Sequence, residues 1–181
     1  AQEEVARRST NALARRLTLA NIPKNSTVEN FKFVPDRGIE KSKLSELATC
    51  TWIKEHMNLI IIGATGSGKS FLSASLADKA CRLGCSVRTF KTHDLARELL
   101  RSRVDSSHKK LFASLKGVDL LVLDEWLRDP LPNPETREVL DLIDARYGHG
   151  SHILATQLPS DTWHQRFEEP TLADALLDRL V

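Results

Sequence analysis

Apolar residues along this chain follow two alternating rhythms. Four short stretches read as strands, the first and third with continuous aliphatic runs: "NLIII" (58–62), "SVRTF" (86–90), "VDLLVLD" (118–124) and "SHILATQ" (151–157). Between them lie "KSFLSASLADKACRL", "THDLARELLRSR", "SSHKKLFASL" and "ETREVLDLIDARYG", whose apolar positions recur at helical spacing. Continuous aliphatic strands separated by helices predict an α/β fold with a parallel sheet buried on both faces. A proline-rich loop, "RDPLPNP", precedes the last of these helices, and "SDTWHQRF" and "PTLADALLDRL" close the chain.

The region before the first strand has a different texture. Ala1 to Ala20 contains neither proline nor glycine, and Val5, Leu13, Leu17 and Ala20 fall at roughly helical spacing beside Arg7, Arg8, Arg15 and Arg16. A basic amphipathic helix is expected there, broken afterwards by Pro23, Pro35 and Gly38. Phe31 and Phe33 are expected to anchor this segment on a larger body, and "SKLSELATCTWIKEH" to form one further helix with Ser42 or Ser45 as its cap. The organisation expected is therefore residues 1–41 as basic helix and linker, and 42–181 as the main body.

Composition excludes several classes. The chain has 181 residues, enough to bury a core without staples. Three cysteines, Cys50, Cys81 and Cys85, are odd in number, and the last two sit one helical turn apart, which suits buried thiols in a reducing cytosol rather than a disulfide framework. They make a poor zinc site even with His93 drafted in. The longest aliphatic run, Leu59 to Ile62, is far short of the roughly 20 residues of a membrane span. A soluble, cytoplasmic protein is expected. The start at alanine and the end at "LLDRLV", with no helix-stop signal, predict a piece of a longer protein.

The chemistry begins at Gly63-Ala64-Thr65-Gly66-Ser67-Gly68-Lys69-Ser70, the phosphate-loop pattern placed between a strand and a helix. Glycines let backbone N–H groups wrap phosphates at the positive end of the following helix. Lys69 would reach the β- and γ-phosphates of ATP, Ser70 would hold Mg²⁺, and Phe71 continues the binding segment. A second buried strand ends in Asp124-Glu125. Asp124 would support Mg²⁺, and Glu125 would polarise the attacking water as general base. A third strand ends in Thr156-Gln157, where Gln157, ahead of Thr156, could contact the γ-phosphate or orient the water.

"GATGSGKS", "LLVLDEW", "HILATQLPSDTWH" and "PTLADALLDRLV", in this order and spacing, resemble the IstB-like family of AAA+ ATPases, transposition helpers of bacterial insertion sequences. DnaC-like helicase loaders of the same clade are similar at lower specificity. The resemblance implies a P-loop NTPase (AAA+) three-layer sandwich with a mainly parallel sheet, preceded by an N-terminal helical segment and lacking here the family's last core strand and lid. It matches Asp124-Glu125 to the Walker B motif, where many members read Asp-Asp, and Gln157 to the first sensor. It makes Arg179 a finger that a neighbouring subunit inserts toward the γ-phosphate, with Arg166 as fallback.

The implied function is an ATP-dependent DNA-binding helper that assembles on duplex DNA as a homo-oligomer with ATP at its subunit junctions. It would recruit and stimulate a transposase and be reset by hydrolysis. Basic residues between the second and third strands, Arg101, Arg103 and Lys109, are the candidate phosphate contacts, with Arg7, Arg8, Arg15 and Arg16 as a second set. The alternatives are a helicase loader and, more remotely, a P-loop small-molecule kinase, for which no convincing lid is present.

Overall fold

The computed structural model describes residues 2–34 and 38–181. Ala1 and Pro35, named above for the first helix and its break, lie outside the described residues. Four strands, β1 (Leu59–Ile62), β2 (Val87–Lys91), β3 (Leu120–Asp124) and β4 (Ser151–Thr156), form one parallel sheet in the order β1-β4-β3-β2. β1, β3 and β4 fall inside the stretches expected to form them, and β2 runs one residue beyond its stretch, to Lys91. The α/β class and the parallel sheet are as expected.

Strand alternation divides the apolar residues between two cores. Leu121, Leu123 and Leu154 point to one face, where they meet α5 (Thr92–Val104), α7 (Asn133–Arg146) and α8 (Pro170–Leu180). Leu120, Val122 and Ile153 point to the other and meet α4 (Lys69–Arg82) and the N-terminal segment. Helices cover both faces, so a strand in the middle of the sheet needs no polar side, which is why β3 reads as an unbroken aliphatic run. The sixth helix, α6 (His108–Lys116), joins α5 to β3. Among the described residues no helix is long and apolar enough to cross a membrane.

The basic helix α1 (Gln2–Ala20) packs against α4 and β2 through its C-terminal half, with Ala20 fully buried and residues 2–12 exposed. Val5 is exposed, not part of the contact. Arg16 Nε donates to the Cys81 carbonyl at 2.9 Å in the last turn of α4, an acceptor it shares with the Gly84 amide at 3.1 Å. Phe31 is buried against Phe71, whereas Phe33 is exposed and only edges onto Phe31.

Three local expectations are corrected. The stretch expected to be one helix is two, α2 (Lys41–Leu47) and α3 (Thr51–Lys54), interrupted where Cys50 adopts φ 56°. Trp52 and Leu44 are thereby both turned into the core. Neither Ser42 nor Ser45 caps: Glu40 occupies the cap position of α2, and Ser45 Oγ instead bonds back to the Lys41 carbonyl. Cys85 lies beyond the end of α4, past Gly84 at φ 97°, so only Cys81 is helical. Burial raises the Cys50 and Cys81 thiols to about 11, which keeps them protonated.

Candidate functional site

A parallel sheet puts all its strand ends on one edge, and the strand order decides which of them become neighbours. Here β4 lies between β1 and β3, so the polar residues after β4 stand between the phosphate loop and Asp124-Glu125. The Gly63 amide donates to the Thr156 carbonyl (3.1 Å), and the Trp126 amide donates to the Ala155 carbonyl (2.8 Å). Thr65 Oγ1 bonds to the Gln157 side-chain oxygen at 2.7 Å. Thr156 Oγ1 accepts from the Leu158 amide instead, which spends that hydroxyl on the turn before Pro159. Of the two, Gln157 is the one whose side chain meets the loop.

The loop has the geometry of an anion cradle. Gly66 and Gly68 take φ 78° and 93°, values that L side chains rarely adopt. A Cβ on Gly63 would meet Ser67 Oγ at 2.8 Å. Helix α4 begins at Lys69 with Gly68 as its cap and no capping side chain. The amides of Lys69, Ser70 and Phe71 therefore lack an intrahelical acceptor at the positive end of a 14-residue helix. Lys69 Nζ bonds to the Gly63 and Ala64 carbonyls at 2.6 and 2.7 Å, so a cation already stands over the loop. Ser70 is exposed in the first helical turn, while the Phe71 ring packs on Phe31 and can offer a ligand only its backbone. These residues fit a nucleotide's phosphates, with Ser70 and Asp124 supplying oxygens suited to Mg²⁺.

Asp124 ends β3, where its Oδ1 accepts the Glu125 amide at 2.8 Å. Glu125 and Leu127 both take φ 53°, a strained region for non-glycine residues. The kink is held by Trp126, fully buried and edge-on to Trp163 at 5.9 Å. It sends the Glu125 carboxylate to the outer side of the edge, where Lys91 Nζ lies 3.2 Å away and Arg128 Nη1 2.5 Å away. Sequence reading missed both cations. Lys91 ends β2 as Asp124 ends β3, and the two are register partners, so the same strand-end rule could have found it.

Arg179 stands at the opposite edge of the sheet. Asn58, which precedes β1, donates from Nδ2 to the Leu180 carbonyl at 3.1 Å. With β1 four residues long, about 13 Å of strand separates that edge from the phosphate loop. Arg179 Nε donates to Asp144 Oδ1 at 2.8 Å, and its guanidinium lies 5.1 Å from the Tyr147 ring centre. Arg166 is the last residue of a 3-10 helix following β4, and its carbonyl accepts from the Leu131 amide.

Of the three candidate phosphate-contacting cations, Arg101 is exposed and borders a groove of about 750 Å³ between α5, α6 and β2, whose lining mixes Arg88, Arg97 and Lys110 with Asp94, Glu98 and Asp105. Lys109 is exposed but does not line this groove. Arg103 forms ion pairs with Glu138 and Asp141 on α7. Of the second set, Arg7 and Arg8 pair with Glu4 and remain largely exposed, while Arg16 is occupied by the Cys81 carbonyl.

A family model described as "IstB-like ATP binding protein" matches residues 1–181. The chain belongs to the IstB-like ATP-binding proteins. Protein y4pL of Sinorhizobium fredii, whose name assigns it to an insertion sequence and to ATP binding, is 37% identical over 169 residues, covering 93% of this chain and 69% of the relative. An IS21 protein of Pseudomonas aeruginosa with a name of the same kind is 29% identical over 180 residues, covering 99% and 68%. Solved structures share the fold at low identity. DnaI superposes with TM-score 0.73 at 17% identity, covering 88% of this chain and 90% of that one, and the DnaC helicase loader with 0.69 at 18%, covering 87% and 95%. AMPPCP-bound DnaA from Aquifex aeolicus gives 0.68 at 18%, covering 86% of this chain. The IstB-like chain spans about half the length of that DnaA chain, at 48%.

Proposed function

We propose that this IstB-like protein is a Mg²⁺-dependent ATPase that assembles on duplex DNA, with ATP bound at the junctions between copies, and in that form recruits and stimulates a transposase. The observation that supports this reading best is the convergence of three strand ends: the loop after β1, Asp124 after β3, and Gln157 between them, bonded to Thr65.

In this mechanism the loop amides and Lys69 hold the β- and γ-phosphates, and Ser70 and Asp124 would hold Mg²⁺, whose charge would offset that developing on the phosphoryl oxygens. Glu125 takes the proton from the attacking water, which requires it to turn away from Lys91 and Arg128. Gln157 exchanges Thr65 for the γ-phosphate or the water. Arg179 acts on the site of a neighbouring copy, because its own loop is on the far edge of the sheet. An arginine supplied in this way accelerates phosphoryl transfer by roughly 10³ to 10⁵, so hydrolysis is coupled to assembly.

Duplex DNA is read through its phosphates by Arg101 with Arg88, Arg97 and Lys110 around the α5–α6 groove. Such contacts carry little base information and weaken with salt. The test is the ATP hydrolysis rate with and without long duplex DNA at low and moderate salt. Stimulation that fades with salt is the expected result. A rate indifferent to DNA at both salts overturns the assembly mechanism, and stimulation by single strands alone points to a helicase loader.

A further inference from the structure

The edge of the sheet opposite the phosphate loop holds a buried polar chain that the proposed mechanism has not used. Arg146, at the end of α7, is fully buried, and among the described residues it makes no ion pair with a carboxylate, the charge of Asp119 acting on it only from a distance. Its Nη1 donates to the Leu115 and Val118 carbonyls at 2.7 Å and to that of Lys116 at 3.2 Å, and its Nη2 donates to the Ser151 carbonyl at 2.9 Å. Three of these four acceptors lie at or just beyond the negative end of α6, which offsets the buried charge. Nε donates to His152 Nε2 at 3.1 Å.

That last bond fixes the imidazole. Guanidinium has only donors, so His152 Nε2 must accept, and the ring proton must sit on Nδ1. Nδ1–H then donates to Asn58 Oδ1 at 2.9 Å, and the His152 backbone N–H donates to the same oxygen at 3.0 Å. With its oxygen taken by two donors, the Asn58 amide can face only one way, and Nδ2 donates to the carbonyls of Leu180 (3.1 Å) and Arg179 (3.5 Å). Each group dictates the orientation of the next, from the end of α6 to the last turn of α8.

From this directional chain we infer that Arg146, His152 and Asn58 are positioning residues that set where the C-terminal turn of α8 presents Arg179 to a neighbouring copy's nucleotide. The chain fixes the Arg179 backbone, while Asp144 and Tyr147 hold its guanidinium at the surface, one by a 2.8 Å hydrogen bond and the other by its ring face. Misplacing a reacting or stabilising group by about 1 Å costs roughly 100-fold in rate. Breaking the chain at Asn58 should therefore cost part of what Arg179 supplies without touching the site on the same subunit. The inference rests on Arg179 acting between copies.

The test is hydrolysis by mixed assemblies of the full-length protein on duplex DNA. Asn58→Ala is measured alone and mixed with Glu125→Gln, a chain that lacks the general base but keeps Asn58 and Arg179 intact. The expected result is a 10- to 100-fold loss for Asn58→Ala alone, unchanged ATP affinity, and recovery on mixing, since half of its sites then face an intact Arg179. Arg179→Ala mixed in the same way recovers if Arg179 acts between copies. Recovery of Arg179→Ala but not of Asn58→Ala overturns the positioning role, as does a wild-type rate for Asn58→Ala alone. Failure of Arg179→Ala itself to recover overturns the between-copies reading and this inference with it. If Asn58→Ala does not fold, Asn58→Asp keeps the acceptor for both His152 donors and replaces the donor to α8 by an oxygen that the Leu180 and Arg179 carbonyls repel, and the same outcomes apply.

Discussion

Thr65 and Gln157, 92 residues apart in sequence, are joined by a 2.7 Å hydrogen bond from the Thr65 hydroxyl to the Gln157 side-chain oxygen. The bond holds the end of β4 to the phosphate loop before any substrate contact is made. Gln157→Ala should lower single-turnover hydrolysis by roughly 100- to 1,000-fold, because it removes one polar group aimed at the developing charge. ATP affinity, set by loop amides and Lys69, should change by less than about threefold. A titration with a fluorescent ATP analogue separates the two; loss of binding in proportion to the rate would make Gln157 a loop brace only.

Glu125 is held by Lys91 and Arg128, and its side chain is 29% exposed. Glu125→Gln should keep ATP and DNA binding while cutting turnover by at least about 100-fold, at the lower end of the range for a positioned general base. Arg128→Ala removes the shorter of the two restraints, so DNA-free hydrolysis should rise several-fold. The steady-state rate without DNA is the measurement, and an unchanged rate would show that the ion pair does not restrain the carboxylate.

What was legible in the sequence is what depends on local pattern. The four strands were visible because each is a short strand-like stretch between helical patterns, and the phosphate loop and Asp124-Glu125 because their spacing encodes geometry directly. Gln157 could be singled out because a strand end next to a loop narrows the choice to two residues. The left-handed break at Cys50 was not visible, since only the need to bury both Leu44 and Trp52 forces it. Nor was the fate of the cations: Arg16, Arg103 and Arg146 look alike in a sequence, yet one satisfies a helix carbonyl, one pairs with α7 and one is buried. The Cys81, Glu138 and Val118 groups they bond lie 28 to 65 residues away, and no periodicity reports contacts of that range.

His152 makes stability depend on pH. Burial, together with Arg146, lowers its pKa from 6.5 to about 3. Folding thus favours the neutral ring. The full contribution is present above pH 6.5, where the unfolded chain is also neutral. It is lost as pH falls below 6.5, because the unfolded chain takes up a proton that the folded chain refuses. The loss is about 1.4 kcal/mol per pH unit down to the folded pKa, or about 2 kcal/mol between pH 6.5 and 5. His152→Gln should remove that part of the slope. Denaturant unfolding of both chains from pH 7.5 to 5 is decisive: parallel curves would mean that His152 is not responsible.

Gly150 lies where the Arg146 guanidinium passes. A Cβ there would stand 2.6 Å from Nη2, 2.9 Å from Cζ and 3.2 Å from the Val118 carbonyl. The guanidinium cannot swing aside, because all three of its nitrogens are bonded. Gly150→Ala should therefore destabilise by about 1–3 kcal/mol, the usual range for overpacking a filled site. Gly148→Ala provides the contrast, since nothing lies within 4 Å of its would-be Cβ and only its φ of 71° opposes the change. A midpoint for Gly150→Ala equal to wild type would mean that Arg146 can rearrange.

Arg101 and Arg103 sit two residues apart on α5 and should behave oppositely. Arg101 opens onto the groove with Arg88, Arg97 and Lys110. Its loss should weaken duplex binding to about the same degree on any sequence and lower the slope of log affinity against log salt by about 0.9 for the one phosphate contact removed. Arg103 is already neutralised by Glu138 and Asp141. Removing it leaves the buried Glu138 carboxylate with a lost partner, so Arg103→Ala should cost folding stability while leaving the salt slope near wild type. Duplex-binding titrations at several salt concentrations, run beside denaturant melts, read both effects in the same pair of proteins. A salt slope that falls for Arg103→Ala and not for Arg101→Ala would move the DNA path off the groove and onto the α5–α7 face.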